Sequence, residues 1–318
     1  MKITLIEPLA ISEDLLFHYK EKMEKAGHEF VYYTDKAKTE EEFLERSKDA
    51  EILMIANTPL PDSVIAQAEN LKLINVAFTG FDHVNVKFAA EKGIKVCNAA
   101  GYSNTSVAEL VIGMVINIYR MLNESDRATR EEKTPADFYT GMEIKDKTVG
   151  IIGTGKIGLE TARLFQAFGA KVIAASRTEK QDAIDMGIRY VSIENLMKES
   201  DIVSLHLAMN EHTRGFINKD LLQLMKEDAI FINCARGPIV DNQALADLLN
   251  AGKIAFAGID VFDMEPPIPS DYPLIQAKNV LLTPHIAFLT KEAMVRRAAI
   301  AFDNSLSFAC GEEKNIVN

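Results

Sequence analysis

The sequence predicts an α/β fold in which helices cover parallel sheets. Short runs rich in β-branched residues alternate with longer amphipathic stretches along most of the 318 residues. This length is too great for one ordinary domain and suits two. Hydrophobic residues make up 47% and charged residues 25% of the chain, which is the composition of a packed globular protein.

The first hundred residues alone predict a small α/β domain. The predicted strands are Ile3–Glu7, Glu29–Tyr33, Glu51–Ile55, Lys72–Val76 and Lys95–Asn98. A helix is predicted over Ser12–Ala26, because Gly27 supplies a stop. Asp62 follows a proline-rich turn and is predicted to cap a further helix.

One long helix is predicted after this domain, from about Ser103 to Arg130. Its first part, Val107 to Ile116, is apolar nearly all round, so it must be buried in its own domain or against a second subunit. A polar loop is predicted over 133–147. A final helix is predicted over Thr290–Ala309.

The second alternating region carries a glycine-rich turn. Its predicted strands are Thr148–Ile152, Lys171–Ala175, Ile202–Leu205, Ala229–Asn233, Ile254–Ile259 and Val280–Leu282. The first strand is followed by Gly-x-Gly-x-x-Gly at Gly153, Gly155 and Gly158. Glycines there allow a tight turn, close approach of the backbone to a diphosphate and tight packing of helix on strand. The motif predicts a dinucleotide site, with Lys156 and Ile157 at the helix N-terminus that faces the phosphates.

The loop after the second strand of this region bears on the choice of nicotinamide cofactor. Enzymes that use NAD usually place Asp or Glu there, whereas this chain has Ser176, Arg177 and Thr178. A hydroxyl and a guanidinium can bind a 2′-phosphate, which a carboxylate would repel. NADP(H) is therefore favoured, and NAD(H) stays open because Arg177 could instead stack on adenine.

Three later segments each follow a predicted strand, where open α/β sheets bind ligands. They contain Arg236, Glu265 and His285. Arg236 can hold a substrate carboxylate with two hydrogen bonds and polarise the carbonyl oxygen. His285 can deliver a proton to that oxygen as hydride arrives, and Glu265 can orient the imidazole and stabilise its charged form. This set suits the reduction of a 2-keto acid.

On these motifs the chain resembles the D-isomer-specific 2-hydroxyacid dehydrogenases over nearly its whole length. The resemblance implies two Rossmann-like domains with parallel sheets. A cofactor domain at 100–285 would be inserted into a substrate domain at 1–99 and 286–318. The resemblance further implies that Arg236, Glu265 and His285 are the catalytic residues and that the long helix forms a homodimer.

The resemblance also bears on the other site residues. The loop from Ala77 to Asp82 would hold the substrate carboxylate through backbone N–H groups, and Phe288 would either line the pocket or pack the domain hinge. With the motifs above, the residues expected at the substrate are Phe78, Thr79, Gly80, Tyr102, Arg236, His285 and Phe288. Those expected at the cofactor are Gly153, Gly155, Lys156, Ile157, Gly158, Ser176, Arg177, Thr178, His206, Thr213, Cys234, Ala235 and Asp260.

Several activities fit these residues. Reduction of glyoxylate or hydroxypyruvate is the expected one, and D-lactate and phosphoglycerate dehydrogenases are alternatives. A phosphoglycerate substrate would call for further basic residues near the pocket, and none is obvious around Phe78–Phe81 or Tyr102. A nucleotide-sensing corepressor is an alternative of another class, against which the intact catalytic trio argues.

Composition excludes other classes of partner. The net charge of -11 argues against nucleic acid, and no apolar run is long enough to span a membrane or form a signal peptide. The odd number of cysteines, at Cys97, Cys234 and Cys310, indicates neither a disulfide framework nor a metal site. A cytoplasmic location is therefore expected.

Overall fold

The structure is a computed structural model that describes residues 1–131 and 140–318. These residues form two compact units: unit 1 comprises Met1–Ser103 with Leu289–Asn318, and unit 2 comprises Asn104–Phe288. Unit 2 is thus inserted into the chain of unit 1. Of the loop predicted over 133–147, residues 133–139 lie outside the described residues.

The unit boundaries lie slightly later in the sequence than the expected 99/100 and 285/286. A helix begins at Asn104, so the turn before it stays with unit 1. At the other boundary, the Asp260 carboxylate accepts hydrogen bonds from the backbone N–H groups of Ile286 and Ala287, at 2.8 and 2.9 Å. These bonds keep the residues after His285 in unit 2.

Strands and helices alternate along most of the chain, as predicted. The strands are β1 (Lys2–Leu5), β2 (Glu29–Tyr32), β3 (Ile52–Ile55), β4 (Leu73–Val76), β5 (Lys95–Asn98), β6 (Thr148–Ile152), β7 (Lys171–Ala175), β8 (Arg189–Tyr190), β9 (Ile202–Leu205), β10 (Ile230–Asn233), β11 (Phe256–Ile259) and β12 (Val280–Leu282). The α-helices are α1 (Glu13–Lys25), α2 (Glu40–Ser47), α3 (Asp62–Gln67), α4 (Val86–Glu91), α5 (Asn104–Arg120), α6 (Leu122–Arg130), α7 (Lys156–Ala167), α8 (Gln181–Asp185), α9 (Ile193–Glu199), α10 (Lys219–Leu222), α11 (Asn242–Asn250), α12 (Pro273–Gln276) and α13 (Lys291–Ala309).

Unit 1 contains a five-stranded parallel sheet in the order β2-β1-β3-β4-β5. The Ser12 side chain caps α1 by accepting from the Leu15 N–H, and Gly27 follows the helix end at a φ of 81°. Such a φ favours glycine, which explains why the sequence places the stop correctly. α13 lies on β4, where the buried Asn75 amide donates to the Ala301 carbonyl at 2.6 Å.

Unit 2 contains a seven-stranded parallel sheet in the order β12-β11-β10-β9-β6-β7-β8. The strand order runs outward in opposite directions from β6 and β9, so the carboxyl ends of these two strands mark the topological switch point at which such sheets bind ligands. The sequence did not predict β8, whose two residues pair with Ile173 and Ala174. The predicted α/β fold with two parallel sheets is confirmed.

Two predicted helix features are wrong. Asp62 is the first residue of α3 and not its cap, because Pro61 occupies the cap position. The long helix predicted over Ser103–Arg130 is two helices, α5 and α6, which meet at a 55° bend where Met121 has a φ of 48°. Near the bend, the Tyr119 carbonyl accepts from the Met142 N–H at 3.0 Å, a bond to a segment outside the helix.

The apolar surface of α5 is buried within unit 2, where the helix packs on α7, β10 and β11. Of the two possibilities that its sequence left open, burial in its own domain is therefore the one observed. Within the described residues, no single helix is long and apolar enough to cross a membrane. α5 and α6 meet that criterion only when taken together across their bend.

Candidate active site

The three predicted catalytic residues follow neighbouring strands of unit 2. β10, β11 and β12 are adjacent and parallel, so the loops after them leave the same edge of the sheet. Arg236 lies in the loop after β10, Glu265 in the loop after β11 and His285 in the loop after β12. The topology therefore gathers a cation, a carboxylate and an imidazole from three separate segments at one edge.

His285 and Glu265 form a direct pair. The Nδ1 atom of His285 lies 2.9 Å from Oε1 and 2.8 Å from Oε2 of Glu265. The imidazole side chain is 18% exposed and the carboxylate 60% exposed, so the pair is accessible from the glutamate side. The Phe288 ring meets the imidazole edge to face at a centroid distance of 5.2 Å. Glu265 is thus the hydrogen-bond partner of Nδ1, which leaves Nε2 as the nitrogen that can form a hydrogen bond with a substrate.

The backbone at His285 is held in a left-handed conformation, with a φ of 56°. Asp260 stabilises this turn: its carbonyl accepts from the His285 N–H at 2.8 Å, and its Oδ1 accepts from the Thr283 hydroxyl at 2.6 Å. Asp260 is fully buried, and burial raises the pKa of its carboxyl against the lowering effect of these hydrogen bonds. Asp260 was expected at the cofactor; its carboxylate is engaged in fixing the loop that carries His285.

The Arg236 loop is held against the Glu265 loop. A Cβ on Gly237 would lie 2.0 Å from the Phe262 carbonyl carbon and oxygen, so only glycine permits this approach. The buried Asn242 amide bridges the two loops, donating to the Gly237 carbonyl at 3.2 Å and to Asp263 Oδ1 at 3.0 Å. The spacing of the Arg236 and Glu265 loops is therefore built into the backbone.

Two other residues of the Arg236 loop, Cys234 and Ala235, were expected at the cofactor. The Ala235 N–H donates to the buried Asn233 side chain at 2.9 Å, and its carbonyl accepts from Arg236 Nη1 at 2.8 Å. Burial, assisted by the Asp260 carboxylate, raises the pKa of the Cys234 thiol well above its usual value. The thiol therefore stays protonated and does not act as a nucleophile.

The glycine-rich turn fits a dinucleotide. Gly153 has a φ of 98°, and a Cβ on it would meet the His206 carbonyl oxygen at 2.6 Å. A Cβ on Gly158 would meet the Gly153 carbonyl oxygen at 2.1 Å, whereas one on Gly155 would meet nothing within 4 Å. Gly155 caps α7 without a side-chain hydrogen bond, so the first N–H groups of that helix, from Lys156 on, are available to phosphate oxygens.

Other predicted cofactor residues lie beside this turn. Ser176, Arg177 and Thr178 directly follow β7, and Arg177 and Thr178 are exposed. His206 follows β9 at the switch point, where its Nε2 lies 2.8 Å from the Ser204 hydroxyl and burial lowers its pKa to about 3. The Thr213 hydroxyl donates to the Ala208 carbonyl at 2.8 Å and so closes its own loop.

Comparisons with known proteins agree with this geometry. The family model for the NAD-binding domain of D-isomer-specific 2-hydroxyacid dehydrogenases matches residues 112–287. The chain belongs to this family. The hydroxypyruvate reductase of Blautia hydrogenotrophica is 35% identical over 302 residues, which cover 93% of this chain and 94% of that enzyme. The glyoxylate reductase of Thermofilum pendens is 36% identical over 86% of this chain and 82% of that enzyme.

A solved structure of an acyclic imino acid reductase in complex with NADPH and D-Arg is also similar, with a TM-score of 0.90 at 31% identity over the whole of both chains. This D-isomer-specific 2-hydroxyacid dehydrogenase is therefore an NAD(P)-dependent oxidoreductase that acts on CH–OH groups, as predicted. The relatives named here are described as enzymes, and none of them supports the corepressor alternative.

In unit 1 of the dehydrogenase, the predicted substrate residues follow β4 and β5. The Phe78 and Tyr102 side chains are buried and meet edge to face at a centroid distance of 5.9 Å. Thr79 and Gly80 are half-buried, and the Asn98 amide donates to the Thr79 carbonyl at 2.8 Å. The structure thus brings the predicted substrate residues of this unit together.

Sequence reasoning missed four residues that contact the site. Tyr190 donates to the Thr154 hydroxyl in the glycine-rich turn, and Asn242 bridges the Arg236 and Glu265 loops as described above. Arg296 donates to the Tyr102 carbonyl at 2.9 Å across a separation of 194 residues, and Arg297 lies over Phe78. Two basic residues of α13 therefore lie beside Phe78 and Tyr102, although none is obvious around these residues in the sequence. No local pattern marks any of the four.

Proposed function

We propose that the chain reduces a small 2-keto acid, glyoxylate or hydroxypyruvate, to the D-2-hydroxy acid. The hydrogen-bonded pair of His285 and Glu265 carries this proposal, because it provides an imidazole proton donor whose ring is held by a carboxylate. Two of the relatives named above are a hydroxypyruvate reductase and a glyoxylate reductase, which supports these two substrates.

Arg236, Glu265 and His285 each have a separate role in the proposed reduction. Arg236 binds the substrate carboxylate and polarises the carbonyl oxygen through charge-assisted hydrogen bonds. His285 donates the proton on Nε2 to that oxygen, while Glu265 accepts the hydrogen bond from Nδ1 and holds the ring. When bound, the nicotinamide supplies the hydride to the carbonyl carbon. In the reverse direction His285 takes the proton back.

The substrate loop of unit 1, from Ala77 to Asp82, also binds the substrate in the proposed reaction. We assign the backbone N–H groups of the Phe78–Gly80 segment to the substrate carboxylate, with Tyr102 lining the pocket, as family membership implies. The buried Phe78 and Tyr102 rings give this segment a rigid base. Phe288 packs on the catalytic imidazole, which favours a lining role over a role in the hinge.

NADP(H) is the proposed cofactor. Arg177 is exposed next to the glycine-rich turn, and no carboxylate of residues 1–131 or 140–318 pairs with it. Its guanidinium is therefore available to a 2′-phosphate, with the hydroxyls of Ser176 and Thr178 beside it. The test is Arg177→Ala: we expect the KM for NADPH to rise about tenfold and the KM for NADH to stay constant. An equal effect on both cofactors would reject the contact with phosphate.

The reaction is tested by following absorbance at 340 nm with NADPH and with NADH. The substrates are glyoxylate, hydroxypyruvate, pyruvate and longer 2-keto acids, and oxidation of D-3-phosphoglycerate is measured in reverse. We expect turnover of glyoxylate or hydroxypyruvate; preference for pyruvate or phosphoglycerate would select one of the alternatives. His285→Ala should remove turnover and leave NADPH binding unchanged, and near-normal turnover by this variant would refute the proposed proton donor.

Assembly and location complete the proposal. We propose a homodimer, as family membership implies, although α5 buries its apolar surface within its own unit and does not itself call for a partner. Light scattering should give twice the 35.3 kDa chain mass. A cytoplasmic location is proposed from the three cysteines, all of which are unpaired.

A further inference from the structure

The loop that carries Glu265 is closed by contacts between its two ends. This loop follows β11 and runs over 260–272. Near its start and at its end, the buried rings of Phe262 and Tyr272 meet edge to face at a centroid distance of 5.7 Å. The Tyr272 hydroxyl donates to Oδ2 of Asp263 at 2.9 Å. Glu265 therefore lies between the two residues that this hydrogen bond joins.

The second oxygen of Asp263 is bonded to α11. Asn242, the first residue of that helix, is 5% exposed and donates from Nδ2 to Oδ1 of Asp263 at 3.0 Å. The same amide donates to the Gly237 carbonyl at 3.2 Å. Each oxygen of Asp263 thus accepts from one buried side chain, and hydrogen bonds to a charged acceptor are stronger than those between neutral groups. The carboxylate therefore ties the Glu265 loop to α11 and to its own far end.

Closure of the loop does not by itself call for a carboxylate. Phe262, Tyr272 and Leu274 are buried in one hydrophobic cluster of unit 2, and burial of apolar side chains is the main stabilising contribution in such a segment. Asp263 is exposed and contributes little through burial. Its two hydrogen bonds, however, have preferred directions, which apolar packing lacks. They restrain the backbone at Asp263, two residues before Glu265.

We propose that Asp263 is a positioning residue that keeps Glu265 at the imidazole of His285. The Glu265 carboxylate oxygens lie 2.9 and 2.8 Å from His285 Nδ1, and such hydrogen bonds weaken when the distance or angle departs from its preferred value. Because only Met264 separates Asp263 from Glu265 in the chain, a restraint on one of them limits the position of the other. This inference rests on the proposed roles of Glu265 and His285.

The test measures kcat for reduction of the 2-keto acid by Asp263→Ala. Loss of both hydrogen bonds should lower kcat about fivefold, and no further than Glu265→Gln does, because Asp263 acts through Glu265. The KM for NADPH should stay constant. In the Glu265→Gln background, Asp263→Ala should lower kcat by less than about twofold more. A purely structural role would lower kcat equally in both backgrounds.

Tyr272→Phe tests one of the two hydrogen bonds without disturbing the packing. It removes a single oxygen atom and keeps the ring on Phe262, so the variant should fold even where Asp263→Ala does not. The bond from Asn242 remains, and kcat should therefore fall only about twofold.

Asn250→Ala is the matched control for Asn242→Ala. Both side chains belong to α11, and each forms a 3.0 Å hydrogen bond with a segment distant in sequence. The partner of Asn250 is the N–H group of Lys278, which lies before β12 and so at the opposite edge of the sheet from the Glu265 loop. Asn242→Ala should lower kcat about threefold, and Asn250→Ala should leave it unchanged.

Three results would overturn the positioning role. They are a wild-type kcat in Asp263→Ala and Tyr272→Phe, equal losses from the two asparagine variants, and effects of Asp263→Ala and Glu265→Gln that multiply independently. Any of these, with turnover by the wild-type protein, would refute this role alone. No turnover by the wild-type protein would refute the proposed function, and this inference with it.

Discussion

Gly237 is the point at which the Arg236 loop meets the Glu265 loop, and its replacement by alanine tests how closely the catalytic groups must be spaced. A methyl group on Gly237 would lie 2.0 Å from both the carbonyl carbon and the carbonyl oxygen of Phe262 and 2.6 Å from the Asp263 nitrogen. All three are backbone atoms. No side-chain rotation can therefore relieve the contact, and one loop must move away from the other.

The size of that movement follows from the contact distances. Ordinary van der Waals contact for a Cβ begins at 3.4 Å, so relief of a 2.0 Å contact requires a shift of about 1.4 Å. A misplacement of about 1 Å in a catalytic group costs roughly 100-fold in rate. We expect Gly237→Ala to lower kcat/KM for the 2-keto acid at least about 100-fold. NADPH binding should change less than about threefold, because the glycine-rich turn lies after a different strand.

The assay is the loss of absorbance at 340 nm under single-turnover conditions, with NADPH affinity measured separately by fluorescence. Gly113→Ala supplies the control, because Gly113 is an exposed glycine inside α5 whose added Cβ would meet nothing within 4 Å. The same substitution there should leave kcat/KM unchanged and raise stability by up to about 1 kcal/mol. Gly237→Ala with more than one-tenth of wild-type kcat/KM would refute the argument that loop spacing limits the reaction.

Three further perturbations test the remaining contacts. Glu265→Gln removes a screened attraction worth about 1 kcal/mol at the His285 nitrogen, so kcat/KM for reduction should fall at least about fivefold, and a variant as fast as the wild type would contradict the role of Glu265. Tyr190→Phe breaks the bonds to Thr154 and Lys180 and should raise the KM for NADPH about threefold, with the KM for the 2-keto acid constant. The folded-state pKa of His206, about 3, lies below its unfolded value of 6.5, so the free energy of unfolding decreases as the pH drops below 6.5, by about 2 kcal/mol at pH 5. Urea unfolding at pH 7.5 and at pH 5 should show a smaller decrease for His206→Gln than for the wild type. Equal decreases would contradict the low pKa of His206.

Local sequence predicted most of the strands and helices because the signals that mark these elements are local. β-branched runs mark the strands of both units, and a glycine such as Gly27 marks where a helix ends. β8 escaped prediction because it is two residues long and pairs along one side only. The bend at Met121 escaped because nothing in the helical pattern shows that the Tyr119 carbonyl binds the N–H of Met142, far along the chain. A helical pattern in the sequence shows amphipathicity, but it does not show a hydrogen bond to a residue outside the helix.

The same limit applies to the site. The position of Arg236, Glu265 and His285 at one edge of the sheet could be predicted because each follows a strand end, and parallel strand ends meet at one edge. Asn242 and Arg297 could not be predicted, because their contacts join segments distant in sequence. Their types also carry no chemical signature: an asparagine after Asp241 reads as part of a helix start, and an arginine in a terminal helix reads as a solvated charge.

Asp260 is a buried carboxylate that holds the loop of His285, the proposed proton donor. His285 has a φ of 56°, a conformation that costs on the order of 1 kcal/mol for a residue with a side chain. The Asp260 side chain offsets that cost by accepting from Thr283, Ile286 and Ala287 on both sides of the histidine. Three donors converge on this carboxylate, and they restrain the backbone on both sides of the imidazole that contacts Glu265. The placement of the proposed proton donor therefore depends on β11, the strand that precedes Asp260, as much as on β12, the strand that precedes His285.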